Sequence, residues 1–200
     1  GAQLLAMQQP NGHWGRGFYM PKWTSTHYSL LDLRNLCVPE DMSSIRNTVV
    51  DILGSLKCGD GGVNPAGTIT VSDVCINGMF LNYACYFGAP ETLLQSVVDF
   101  IIEQRMKDGG FNCRKNRSGA RHSSMDSTLS VLEGIRSYLK HGYSYRSDEM
   151  QALELGAREF LLVHHLYKSD RTGETIKPLF LKLSYPYRWR YNVLRALDYF

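Results

Sequence analysis

A glycine-centred turn recurs along this chain at nearly constant spacing, and that recurrence limits the available folds more than any other feature. The clear copies are Gln9-Pro10-Asn11-Gly12-His13-Trp14, Asp60-Gly61-Gly62-Val63-Asn64 and Asp108-Gly109-Gly110-Phe111-Asn112. They lie 49 residues apart from Asn11 to Asp60 and 48 from Asp60 to Asp108. A looser copy, Asp170-Arg171-Thr172-Gly173, follows 62 residues later. Glycine supplies the positive φ of a helix end or tight turn, and the apolar residue behind it can fold back onto a core. A period of this length belongs to a supersecondary unit that buries its apolar face only by stacking on the next copy.

Between the turns the apolar period is helical. Leu30, Leu31, Leu33 and Leu36 form one stripe, and Val38-Pro39-Glu40-Asp41 breaks it. Residues 42–57 follow, with Ile45, Val49, Ile52, Leu53 and Leu56 at helical spacing. The next pair is expected over 72–87 and 90–106, with Pro90 suited to a first helical turn. A third pair is expected over 123–140 and 147–167, and a seventh helix from near Arg188 to Phe200. The first helix of each pair is apolar around much of its circumference, as in Cys75-Ile76-Asn77-Gly78-Met79-Phe80-Leu81, whereas the second has a charged face. Inner, enclosed helices therefore alternate with outer, solvated ones. The expectation is one all-α repeat domain over residues 1–200, with about three and a half antiparallel hairpins. It would be part of a longer barrel, or completed by another copy of itself.

Composition excludes several classes. With 44% hydrophobic and 20% charged residues the chain is not disordered. No run approaches the ~20 apolar residues of a membrane span, and no secretory leader pattern is visible. A net charge of +3 with scattered basic residues argues against nucleic acid as a partner. The two basic clusters, Arg114-Lys115-Asn116-Arg117 and Arg188-Trp189-Arg190, read as a solvated loop and a helix start. Five irregularly spaced cysteines suggest no disulfide framework, which makes a reducing, cytoplasmic compartment the default expectation.

The Asp-Gly-Gly-Phe-Asn turns, their period and the inner–outer alternation resemble the prenyltransferase and squalene-oxidase repeats of terpenoid cyclases and protein prenyltransferase β subunits. The resemblance runs from Gln8 to Phe200. It implies an α/α toroid whose inner-helix N-termini surround an apolar cavity for an isoprenoid or other lipid. Aligned on their apolar stripes, the inner helices put Ser25, Asp73, Asp126 and Arg188 at one level, and His27, Cys75, Thr128 and Arg190 two residues on.

Asp126-Ser127-Thr128 is similar to the Asp-Cys-Thr signature whose Asp protonates the substrate in cyclases, which makes Asp126 a candidate acid. Asp73-Val74-Cys75 resembles the zinc-binding Asp-x-Cys pair of protein prenyltransferases. With Cys113 and His122 it would complete a tetrahedral zinc set, and Asp73 and His122 would then be catalytic candidates with Asp126. The competing reading is structural: Asp73 and Asp126 as helix caps, His122 as a capping histidine and the cysteines as small buried residues. Arg188 and Arg190, with Trp189, Trp14, Trp23 and His27, are the candidate substrate-binding group, with the arginines for a diphosphate or carboxylate and the rings as walls. Alternatively these residues form an aromatic plug with arginines stacked on rings. Two functions stay open: an isoprenoid transferase or cyclase, and a non-catalytic repeat module that binds a lipid, peptide or protein.

Overall fold

The computed structural model describes residues 1–64 and 70–200, and these are all-helical. In chain order the helices are α1 (Ala2–Ala6), α2 (Thr26–Asn35), α3 (Ser43–Ser55), α4 (Val74–Tyr86) and α5 (Glu91–Glu103). Then come α6 (Lys115–Ser118), α7 (Met125–Lys140), α8 (Ser147–Val163), a short 3-10 turn (Pro178–Leu181) and α9 (Val193–Tyr199). Among the described residues, β pairing is confined to two isolated bridges, Lys57–Val63 and Lys168–Thr175, each at the foot of a glycine turn.

Two rows of helices form. In the inner row α4 lies between α2 and α7, and its contact with α7 is the most extensive in the molecule. In the outer row α5 touches both α3 and α8. The apolar character of α4 is explained by this position: from Ile76 to Cys85 every residue is buried. Outer α5 buries only one stripe, Leu94, Val97, Val98, Phe100 and Ile101. Residues from α2 (Leu31, Arg34, Asn35), α7 (Glu133, Arg136) and α9 (Arg195, Asp198, Tyr199) border one void of about 60 Å³. The inner row therefore bends round, bringing its first and last members together.

The turns repeat in their hydrogen bonds as well as in their residues. Gly12, Gly61, Gly109 and Gly173 all have positive φ, between 71° and 91°. Each donates its N–H to the carbonyl of a residue three or four back: Gln9, Cys58, Met106 and Ser169. Gly61 is also pressed on the outer helix, where a Cβ would stand 2.7 Å from the Ser96 carbonyl oxygen. An inner-helix side chain then grips the turn. Thr26 Oγ1 accepts from Trp14 N–H and donates to Trp14 O, and Thr128 Oγ1 does the same with Phe111. Asn77 spans Val63 in the same way through its amide oxygen and nitrogen. The turn aspartates fasten the approach to the next inner helix: Asp60 accepts from the backbone and hydroxyl of Ser72, Asp108 from those of Ser123.

These bonds correct the register read from the stripes. Thr26, Asn77 and Thr128 are equivalent, so Asp73 corresponds to Ser124, and Cys75 to Asp126. Two boundaries also move. The last outer helix stops at Val163 because His165 and Leu166 take left-handed conformations (φ 46° and 65°). The last inner helix begins at Val193, capped by Asn192, whose side chain accepts from Arg195 N–H at 2.9 Å. Arg188 and Arg190 thus lie in the loop before α9, not at its N-terminus. The segment read as a solvated loop, 114–117, contains the start of α6 and reaches back to α4.

Candidate functional site

The N-terminal ends of the inner helices carry two clusters of unusual chemistry. The first is built on Trp23 and the loop before α9. The Arg188 guanidinium lies 4.8 Å from the Trp23 ring centre, Arg190 5.9 Å, and the Lys22 ammonium 5.4 Å. Lys22 and Arg190 also flank Trp189, at 5.6 and 5.9 Å. Three cations around two indoles are attracted by the ring faces and repelled by one another. Trp23 and Arg188 hold left-handed backbone (φ 82° and 54°), which side-chain-bearing residues adopt at a cost. With Pro186, Tyr187 and Arg190 they bound a cavity of about 180 Å³. Arg188 Nε and Trp189 Nε1 are both buried without a hydrogen-bond partner. Beneath them, burial raises the Asp32 carboxyl above its ordinary range, with Arg188 pulling it back.

The second cluster lies where α4 begins. Asp73, its N-cap and 8% exposed, receives a bidentate ion pair from Arg117 on α6, with Nε at 2.8 Å from Oδ1 and the other nitrogen on Oδ2. The thiols of Cys75 and Cys113 are within hydrogen-bond reach of each other. Cys113 N–H donates to Ser127 Oγ at 3.2 Å. Tyr19 and Tyr28, joined through their hydroxyls at 3.1 Å, lie near the Cys75 thiol.

The remaining sequence candidates lie elsewhere. Trp14 is a core residue, its indole N–H donating to Leu4 O at 2.7 Å. His27 is fully buried under the clusters, Nδ1 3.1 Å from Tyr83 OH and Nε2 without a partner. Burial alone lowers its pKa to about 3, so it is neutral at neutral pH. Asp126 accepts from Tyr191 N–H at 2.7 Å and meets Lys177 at 3.6 Å. His122 is exposed and borders an open cleft of about 480 Å³ with Asp108, Phe160, His164 and Asp170.

The proposed zinc set is therefore corrected. Asp73, Cys75 and Cys113 come together, but both Asp73 oxygens are taken by Arg117 and His122 faces a different cleft. Among the described residues no group of three or more His, Cys, Asp or Glu is arranged to hold a metal ion. The grouping of Asp73, Asp126 and His122 as joint catalytic residues is corrected for the same reason, since each has its own separate neighbours. Sequence reasoning missed Arg117 and Lys22. The density of charge at 114–117 was the available signal for Arg117. Lys22 had none.

No family model, curated protein or solved structure matches this chain. No helix among the described residues is long and apolar enough to cross a membrane.

Proposed function

We propose that the chain is an isoprenoid-handling α/α-toroid module whose Trp23–Arg188–Arg190 mouth receives the diphosphate end of a prenyl ligand. The observation that carries this reading is Arg188, held in left-handed backbone over Trp23 with a buried, unpartnered Nε. A buried donor without an acceptor is costly, and an anion entering the cavity would remove that cost. Arg190 and Lys22 add charge, while Trp23, Tyr187 and Pro186 offer apolar walls to the first carbons of the chain. The curved inner row, with α2 and α9 bordering one void, is consistent with a toroid.

Binding is favoured over prenyl transfer or cyclisation. A cyclase-type acid must present a proton to its substrate, whereas Asp73 uses both oxygens as acceptors for Arg117, and Asp126 accepts from Tyr191. Thermal unfolding with farnesyl diphosphate, farnesol and inorganic pyrophosphate tests the reading. At a hundredfold excess over Kd the diphosphate should stabilise the protein by about 2.7 kcal/mol, roughly 5–10 °C in Tm. Farnesol should do much less, and Arg188→Ala should abolish the shift. An equal shift with farnesol, or an unchanged shift in Arg188→Ala, would refute it.

A further inference from the structure

Two thiols that the ligand reading leaves unused sit against each other. Cys75 is the second residue of α4, and Cys113 lies in the bend before α6, 38 residues further on. Both are free and half-buried. The gap between them is already spanned by an ion pair, because Asp73, two residues before Cys75, is gripped by Arg117, four residues after Cys113. The bends are fixed from other sides too: Asn77 holds α4 to its turn, and Ser127 holds the Cys113 backbone to α7. Two nested residue pairs, 73–117 and 75–113, therefore join the same two segments.

We propose that Cys75 and Cys113 form a thiol–disulfide exchange site that reacts with a low-molecular-weight disulfide of the glutathione type and closes into an intrachain disulfide. In the first step the Cys113 thiolate attacks one sulfur of the small disulfide. A Cys113–glutathione bond forms, the original S–S bond breaks, and one glutathione thiolate leaves to take a proton from water. In the second step Cys75 releases its proton to solvent and attacks Cys113 Sγ, expelling the second glutathione thiolate. Two protein thiols lose two electrons and one small disulfide gains them, so the exchange needs no other oxidant.

The surroundings set the order of attack. The hydrogen bond from Cys75 lowers the pKa of the Cys113 thiol, helped by Ser127 and Arg117, while burial and Asp73 oppose them. Cys75 is pushed up by the same hydrogen bond, by burial and by Asp73. Ionisation favoured at one thiol and opposed at its neighbour is the asymmetry that distinguishes an attacking from a resolving cysteine. The other cysteines act as internal comparisons: exposed Cys37, half-buried Cys58 and buried Cys85 have no thiol neighbour in these interactions.

The test is disulfide mapping by mass spectrometry, without reduction, on the whole chain treated with glutathione disulfide at neutral pH. The expected product is a linked Cys75–Cys113 peptide. Cys75→Ser should instead accumulate glutathione on Cys113 ahead of Cys37 and Cys58, and Cys113→Ser should leave Cys75 free. Wild-type protein that carries glutathione on Cys37 while Cys75 and Cys113 stay unlinked would overturn the proposal. So would Cys75→Ser protein, folded by circular dichroism, that modifies Cys113 no faster than Cys37. The wild-type mapping decides alone if a variant fails to fold.

Discussion

Replacing Gly134 by alanine tests the helix contact on which the inner row depends. A Cβ at Gly134 would stand 2.4 Å from the carbonyl oxygen of Gly78, and one at Gly78 would stand 2.6 Å from that of Ser130. A relaxed carbon–oxygen contact is about 3.3–3.6 Å, so α4 and α7 would have to part by roughly 1 Å. The obstacle on both sides is backbone, which no rotamer change can move. A gap of that size forfeits a quarter to a half of the local dispersion energy, and overpacking typically costs about 1–3 kcal/mol. Alanine returns about 1 kcal/mol of helix propensity. Taking the upper end of the overpacking range, Gly134→Ala should be net destabilising by about 2 kcal/mol. For a chain of this size that is roughly 4–8 °C in Tm. Urea unfolding followed by circular dichroism measures it. Gly54→Ala on α3 is the control, since its Cβ would meet nothing within 4 Å and should stabilise by up to about 1 kcal/mol. If Gly134→Ala proved as stable as wild type, the close crossing of α4 and α7 would be wrong.

Thr128→Val should cost about 2 kcal/mol, because it strands the buried Phe111 N–H; the Phe111 carbonyl keeps its bond from Ser124 N–H. Thr26→Val should cost a similar amount at Trp14, and urea unfolding of the double variant should show the two losses adding. Glu133→Gln should cost about 3 kcal/mol or more, since it removes the charge facing Arg195, which is 3% exposed and bound bidentately at 2.8 and 2.6 Å. Adding Arg195→Met should recover part of that loss, and a double variant less stable than Glu133→Gln would contradict the assignment. His27 gives a pH dependence. Its folded pKa, about 3, lies below the unfolded value of about 6.5, so the unfolded chain binds the extra proton. Its contribution is intact above pH ~6.5 and is lost as pH falls toward 3, about 2 kcal/mol by pH 5. Denaturant midpoints should show that slope in wild type and a flatter one in His27→Gln; equal slopes would mean that His27 is not the group responsible.

Much of the fold is legible because it is local. The Gly12, Gly61 and Gly109 turns announce themselves by residue type, and the apolar periods of α3, α5 and α7 put their boundaries within a few residues of those observed. The expected start of the last helix near Arg188 failed for a local reason of another kind. Asn192 offers a better cap, and Arg188 occupies a left-handed conformation that residue type does not advertise. The clusters were half legible. Cys75, Cys113, Asp73, Trp23, Arg188 and Arg190 were recognised as chemically unusual, but their partners depend on how the stacked hairpins are rotated. Apolar stripes fix that rotation only to within a turn of helix. The error of two residues moved Asp126 to the level of Asp73, whereas the hydrogen-bond register pairs Asp73 with Ser124 and Cys75 with Asp126.

The hydrogen-bond register also separates positions the frame needs from positions it leaves free. Thr26, Asn77 and Thr128, each 51 residues from the next, all grip a turn, so a side chain bearing both donor and acceptor is required at each. Two residues earlier the same frame holds Thr24, Cys75 and Asp126, and four residues earlier Lys22, Asp73 and Ser124. A hydroxyl, a thiol and a carboxylate cannot serve one common structural purpose, nor can an ammonium, a carboxylate and a second hydroxyl. Those two levels are where copies with the same backbone role diverge in chemistry, and both clusters draw on them: Lys22 beside Trp23 and Trp189, Asp73 and Cys75 beside Arg117 and Cys113. Repetition supplies a scaffold that tolerates substitution at the helix tips, and the departures from repetition carry the functional information.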